Sequence, residues 1–492
     1  MVTFGSSQLQ EVLPSRRKLV VTFKSFSNVK PDILAAFSEI RHRYEYACIL
    51  ESSVGADRLA ELSIMVFDPS YLLTATEGRT KIEDLRNGAQ AESDEADPLR
   101  AVQMLVESSP AIKNQFRFAG GAVGYISFDA IRYWEKTALS GRKAWKFGAK
   151  TYPDLRFGLY EQGIVIDHVN HKAFYFSSDR VKENRYSELK DILLKSSRTK
   201  SNSEITDEIL YSTPQPNVKR EQFESAVVKA KEYIRDGEIF QVVLSKRLEF
   251  SLAGDPLRFY STLRALNPSP YMYYLDLGDT KIVGSSPEML TRVEAGLVET
   301  FPIAGTAPRS QNKRENARLG KELLSDPKER AEHLMLVDLG RNDVGRVAEY
   351  GSVSVPEFME LHQYSHVQHI VSHVVGKLRP GLTSFDAMRS IFPAGTLSGA
   401  PKIRAIQIID ELEPEARGPY GGAVGYFSFN GNMDSAITIR TMATIENRAS
   451  IQVGAGIVAD SSPEAEWAEC DRKAAALLRA LEISAGREGS GS

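Results

Sequence analysis

An α+β fold built on large antiparallel sheets is what this sequence predicts, on three observations. Strand-type runs dominate the readable middle, with helices set between them and no regular alternation of strand and helix. The hexapeptide Gly120-Gly121-Ala122-Val123-Gly124-Tyr125 recurs as Gly421-Gly422-Ala423-Val424-Gly425-Tyr426, each copy followed one residue later by Ser-Phe. The recurrence suggests two related strands from duplicated sheet halves, and glycines within strands mark close backbone approach. Neither GxxxxGK followed by Ser or Thr nor GxGxxG occurs, so nucleotide-binding folds lose support.

In chain order, residues 1–17 are mostly polar and predict a loosely ordered start. An N-terminal part spans 18–194, with an acidic loop from Asn87 to Pro98. Lys195 to Asn217 carries Ser, Thr, Lys and two prolines, and predicts a linker over 195–218. A second part spans 219–485. Phe223, Ala226, Val227, Ala230, Tyr233 and Ile234 follow helical spacing, and Gly237 ends that helix. Ile239 to Phe250 then predicts a strand. Near the end, Ser462 can cap a helix, Pro463 suits its first turn, and Glu464 and Glu466 suit the positive end of its dipole. Ala474, Leu477, Leu478 and Leu481 supply its buried stripe. Gly486 to Ser492 predicts a disordered tail.

With 492 residues, 42% hydrophobic and 25% charged, the chain has the composition of a soluble globular protein. A formal net charge of −3 and the lack of a long basic run argue against nucleic acid as partner. Cys48 and Cys470 stand apart without CxxC spacing, which excludes a zinc ribbon and suits a reducing cytoplasm. No signal pattern or membrane-length apolar run is present, so the expected location is cytoplasmic, with no membrane partner.

The run from Glu329 to Asp338 opens a helix with Glu329 and Glu332 on one face, and Glu466 with Glu469 repeats the pattern downstream. Two such helices facing one cleft would crowd four carboxylates, which repel unless a hard cation sits between them. Mg²⁺ fits best, because it prefers oxygen ligands and keeps waters for a substrate. Glu469 and Lys473 are also spaced as a helical ion pair.

Further segments combine with these: Gln241-Val242-Val243-Leu244-Ser245, Gly284-Ser285-Ser286-Pro287-Glu288, and Phe301-Pro302-Ile303-Ala304-Gly305-Thr306. Then come Arg341-Asn342-Asp343, His369-Ile370-Val371-Ser372, Pro393 through Lys402 (PAGTLSGAPK), Ile439-Arg440-Thr441 and Gly454-Ala455-Gly456. The ordered set resembles the chorismate-utilising enzymes and, among them, the anthranilate synthase component I family. It covers about residues 219–482, and more weakly back to about 45. The resemblance implies a two-layer antiparallel β-sandwich with flanking helices. It implies Mg²⁺ on Glu332 and Glu469, supported by Glu329 and Glu466. Arg440, Tyr426, Thr396 and Gly456 would hold the enolpyruvyl group of chorismate, and Gly305 and Thr306 the ring carboxylate. Gly454 and Lys473 complete the substrate contacts, Glu288 matches the acid for the leaving hydroxyl, and His369 matches the residue linked to pyruvate elimination. His362, His366 and His373 lie nearby, so only its place in the motif selects His369.

Two positions choose among relatives. Those that add water carry a lysine base where this chain has Gln241, and aminodeoxychorismate synthases commonly carry a lysine where it has Ala304. Both differences favour ammonia as nucleophile and anthranilate as product. The resemblance also implies a partner glutamine amidotransferase and feedback by L-tryptophan. The effector site would comprise Glu51, Ser52, Asn267, Pro268, Pro270, Tyr271 and Met272, although Ile49 replaces the family's usual first leucine. Aminodeoxychorismate synthase component I and a non-catalytic tryptophan-binding regulator are the alternatives.

Overall fold

The computed structural model describes residues 19–27, 29–52, 61–93, 96–107, 116–141, 143, 150–197, 208–310, 312–363 and 367–486. The polar start, residues 487–492 of the tail, 94–95 of the acidic loop, 198–207 of the linker and His366 lie outside them.

Among the described residues the strands form two antiparallel sheets, of 13 and 12 strands. The first runs Val21–Phe26, Lys172–Ser178, Gln162–Asp167, Leu62–Val66, Cys48–Glu51, Tyr271–Leu277, Thr280–Ser286, Thr441–Ile445, Arg448–Ile457, Gln241–Ala253 and Leu210–Tyr211. The second runs Ile303–Pro308, Val367–Lys377, Leu297–Thr300, Met289–Glu294, Met433–Ile437, Ala423–Ser428, Gly121–Ile126, Leu155–Tyr160, Tyr71–Thr76, Arg79–Asp84 and Gln90–Ser93. Inward residues of both, such as Ile64 and Tyr273 from one and Val123 and Tyr426 from the other, share a buried core. The α+β expectation of large antiparallel sheets therefore holds.

Both sheets are assembled from the two sequence parts. Cys48–Glu51 pairs with Tyr271–Leu277, placing Glu51 opposite Met272. Gly121–Ile126 pairs with Ala423–Ser428, so the two copies of the repeated hexapeptide are direct neighbours centred on Gly124 opposite Gly425. A Cβ at Gly124 would lie 2.0 Å from the Arg156 carbonyl oxygen, and one at Gly425 2.1 Å from that of Asp434. Side chains are excluded there by neighbouring backbone.

Local expectations fare well where periodicity is strong. The helix ending before Gly237 spans Arg220–Arg235, with Gly237 at φ +78° as the left-handed stop. The following strand spans Gln241–Ala253, starting and ending slightly later than predicted. Ser462 caps Pro463–Ser484 by accepting from the Ala465 amide. Two loop assignments need correction. Gln90–Ser93 in the acidic loop pairs with Arg79–Asp84, and Leu210–Tyr211 and Gln215–Pro216 in the linker add to the edge of Gln241–Ala253. Polar residues suit such exposed edges, which is why composition alone read them as loop. No described helix is long and apolar enough to cross a membrane.

Candidate active site

The first acidic helix, Pro327–Gly345, is begun by Asp326, whose carboxylate accepts from the amides of Lys328 at 2.8 Å and Glu329 at 3.3 Å. Its inner face is pinned by buried His333, whose Nε2 pairs with Ser372 Oγ at 2.7 Å. Burial pushes the His333 pKa down to about 4, so the ring is neutral at physiological pH. That anchor turns Glu329 and Glu332 away from the core. On the second helix, Pro463–Ser484, Lys473 Nζ lies 2.7 Å from Glu469 and donates to the Gly454 carbonyl at 2.9 Å.

One strand ties the helices together. Gly454 meets Lys473 from the second helix, while Gly456 lies against Gln241, whose amide Nε2 donates to Glu332 of the first at 3.3 Å. Burial, and then Glu332, raises the Glu329 carboxyl; burial and Glu469 raise that of Glu466. Lys328 opposes both shifts, which places the acid pairs in one neighbourhood. No three of the four carboxylates have oxygens within 4.8 Å of one another, so the set is open rather than closed into a cage. A four-carboxylate donor set with mutual repulsion fits a hard divalent ion. Glu332 and Glu469 would hold it, with Glu329 and Glu466 behind them.

Glu288 follows the strand Thr280–Ser286 and accepts a hydrogen bond from Thr396 Oγ1 at 2.8 Å. Burial raises its carboxyl to about 7, against the opposing pull of Thr396, Arg440 and Lys473. A small cavity adjoins it, walled by Phe301, Pro302, Leu336, Leu339 and Ile437, and these apolar walls account for the desolvation. Arg440 takes φ +49°, a left-handed conformation unusual outside glycine, and its carbonyl accepts from the Ser285 amide at 3.1 Å. Burial lowers the Arg440 pKa, and Glu288 is the charge that offsets it.

Gly305, at φ +70°, forms a bulge in Ile303–Pro308 opposite Val367–Lys377. The bulge turns its carbonyl toward His369, whose Nδ1 lies 2.8 Å from that oxygen and 3.1 Å from Thr306 Oγ1. A carbonyl only accepts, so the neutral ring carries its proton on Nδ1 and its lone pair on Nε2. Burial lowers the His369 pKa, and Arg440 lowers it further. A Cβ at Gly305 would lie 3.0 Å from Glu329 Oε2, linking this corner to the acidic helix. Short contacts thus join Glu288 to Thr396, and His369 to Gly305 and Thr306, while Gly305 lies against Glu329 and the Arg440 charge acts on both Glu288 and His369.

Tyr426 does not belong to this cluster, contrary to expectation. Its ring packs edge-on against Phe118, 4.8 Å between centroids, and faces a different cavity. The tyrosine that reaches the glycine strand is Tyr420: its hydroxyl lies 2.7 Å from where a Cβ on Gly454 would stand. One sequence signal could have found it. Tyr426 has a counterpart, Tyr125, in the other copy of the repeat, whereas the position of Tyr420 is held there by Ala119. A residue shared by both copies serves the sheet, and the one that differs marks the site.

The second cavity is lined by Glu51, Ser52, Tyr271, Met272, Gly425 and Tyr426 among others. Glu51 is buried and pairs with Arg264 Nε at 2.6 Å. Asp434 lies in its wall, 2.7 Å from Arg292 and 3.0 Å from the Tyr271 hydroxyl. Strand pairing therefore brings Glu51 and Ser52 beside Tyr271 and Met272. Asn267, Pro268 and Pro270 lie on the turn entering that strand and do not line the cavity; the Asn267 carbonyl accepts from Ser285 Oγ.

Residues 45–479 match the family described as chorismate binding enzyme, and the chain belongs to that family. Within it, the chain is 45% identical over 448 residues to anthranilate synthase component 1 of Methanothermobacter marburgensis, covering 91% of this chain and 92% of that one. It is 42% identical to the protein of the same name from Pseudomonas aeruginosa, covering 89% of this chain and 90% of the other. The crystal structure of anthranilate synthase component I from Streptococcus pneumoniae superposes with a TM-score of 0.75 at 36% identity, over 93% of this chain and 99% of that one. The menaquinone-specific isochorismate synthase of Escherichia coli shares the fold, with a TM-score of 0.71 at 18% identity, over 96% and 99%.

Proposed function

We propose that this chain is the large, ammonia-using subunit of an anthranilate synthase. It would convert chorismate and ammonia to anthranilate and pyruvate, the first step of tryptophan biosynthesis. The observation that carries the reading is Glu288, a buried carboxyl that accepts from Thr396 Oγ1 at 2.8 Å beside an apolar cavity, where burial raises its pKa to about 7. At that pKa it is available as a proton donor to a leaving hydroxyl. As the C–N bond forms at C2, both ring double bonds shift, C1=C2 to C1=C6 and C5=C6 to C4=C5; the C4 hydroxyl leaves as water with the Glu288 proton, and the new ammonium group releases one proton to solvent. His369 Nε2 is suited to take the ring proton when pyruvate is eliminated and the ring becomes aromatic. Arg440 suits a carboxylate through paired N–H donors. Mg²⁺, when bound, would anchor the other carboxylate and neutralise its charge. Ala304 offers no amine, and Gln241 no base, so neither supplies a competing nucleophile. Purified chain with chorismate, Mg²⁺ and ammonium is expected to yield fluorescent anthranilate; 4-amino-4-deoxychorismate as product would overturn the assignment.

The nitrogen source supports a second expectation. Burial pushes both cysteine thiols, Cys48 and Cys470, up to about 12, so neither can serve as the thiolate that attacks glutamine. The chain alone is expected to use ammonium and not glutamine, and to gain glutamine-dependent activity with a separate glutaminase subunit. Glutamine-dependent product from the rigorously purified single chain would contradict this.

The cavity shared by Glu51, Ser52, Tyr271 and Met272 is the proposed seat of feedback by L-tryptophan. Its apolar wall suits an indole, and its charged floor suits an amino acid head group. Binding there changes turnover only if the ligand prefers the less active of two conformations. Ser52→Phe is expected to fill the cavity and raise the inhibitory concentration at least tenfold, with uninhibited turnover largely retained. An unchanged inhibition curve would remove this site from consideration.

A further inference from the structure

We infer that Gln241 is a positioning residue for Glu332, and that position 456 is glycine to make room for it; this rests on the reading of Glu332 as a metal ligand. Gln241 opens the strand Gln241–Ala253 and is only 6% exposed. Its Nε2 donates to Glu332 Oε1 at 3.3 Å across 91 positions of sequence, and its own Oε1 is buried without a partner. The reverse amide orientation would set a carbonyl oxygen against a carboxylate, so the carboxylate fixes the amide and the amide in turn fixes the carboxylate.

Gly456 supplies the space. It lies opposite Val243, two residues along from Gln241 and on the same face of the sheet. A Cβ at Gly456 would stand 2.6 Å from Gln241 Nε2, and no other atom closer than 3.6 Å obstructs it. Its φ lies outside the left-handed range, so its backbone alone would accept alanine. The obstacle to a side chain is the amide that reaches Glu332. Residues that orient metal ligands typically contribute about 10–100-fold to metal affinity. A residue that only selected the nucleophile would alter the ammonia dependence and leave the metal untouched.

Mn²⁺ binding, read from the paramagnetic resonance of the free ion without chorismate, separates these roles. Gln241→Ala and Gly456→Ala are each expected to weaken Mn²⁺ binding by about tenfold or more. The double variant is expected to bind no more weakly than Gln241→Ala alone, because the added methyl then has no amide to displace. Affinity within twofold of wild type for either single variant overturns the proposal, as do effects that multiply in the double variant. Glu332→Gln is the reference arm. If it binds Mn²⁺ like wild type, the metal reading itself fails and Gln241 positions nothing. If only that variant loses binding, the metal reading stands and the positioning role falls.

Discussion

Turnover is expected to fall by about a thousandfold or more when Glu332 or Glu469 is replaced by glutamine, at any practical Mg²⁺ concentration. Each change removes one negative charge and one ion ligand while keeping the side-chain volume. Divalent ions that neutralise a substrate anion supply several kcal/mol, and each factor of ten in rate is about 1.4 kcal/mol. The fold should survive, because Glu332 and Glu469 are only partly buried and belong to well-capped helices. Loss of one like charge among four relieves repulsion, so the melting temperature of the metal-free variants should match or exceed that of wild type. A metal titration with turnover as readout, beside a melting curve, checks both halves. Near wild-type activity in either variant would falsify the metal assignment.

Glu288→Gln is expected to cut turnover by about 10²–10⁴-fold and to abolish the alkaline limb of the pH profile. In wild type the donor form is the protonated one. At fixed free ammonia the rate should therefore be level below about 7 and decline above it. At fixed total ammonium the rise in free ammonia with pH opposes that decline and flattens the limb. Stability carries the same signature. The folded carboxyl titrates above its ordinary 4.5, so its favourable contribution is complete below that value and is lost as pH rises through about 7. Glutamine does not ionise, so the variant should gain melting temperature relative to wild type between pH 5 and pH 8. A variant whose remaining activity keeps the wild-type alkaline limb would place that titration elsewhere.

Much of the site was legible because its residues sit on short elements with strong local signals. The run from Glu329 to Asp338 announces one acidic helix, Ser462 and Pro463 the other, and helical spacing puts each glutamate pair on one face. What was illegible depends on partners distant in sequence. Nothing local tells that Glu51 lies opposite Met272, that Gln241 touches Glu332, or that Tyr420 rather than Tyr426 reaches Gly454. The edge strands within the predicted linker and acidic loop were missed because an exposed edge needs no apolar pattern. The acid role of Glu288 was carried by its motif, but the apolar walls that raise its pKa come from a loop, a helix and a strand distant from it in sequence.

The pairing of the two hexapeptide copies also governs how the chain must be made. Gly121–Ile126 leaves the ribosome about 300 residues before its neighbour Ala423–Ser428 exists. At about 5–20 residues per second, that strand waits roughly 15–60 s with an unpaired edge. The same holds for Cys48–Glu51, which awaits Tyr271–Leu277. The nascent N-terminal segment cannot finish either sheet by itself, so until then its unpaired strand edges are open to aggregation. Synonymous codons or temperature shifts that lengthen the wait between these strands would lower the yield of folded enzyme without changing a single amino acid.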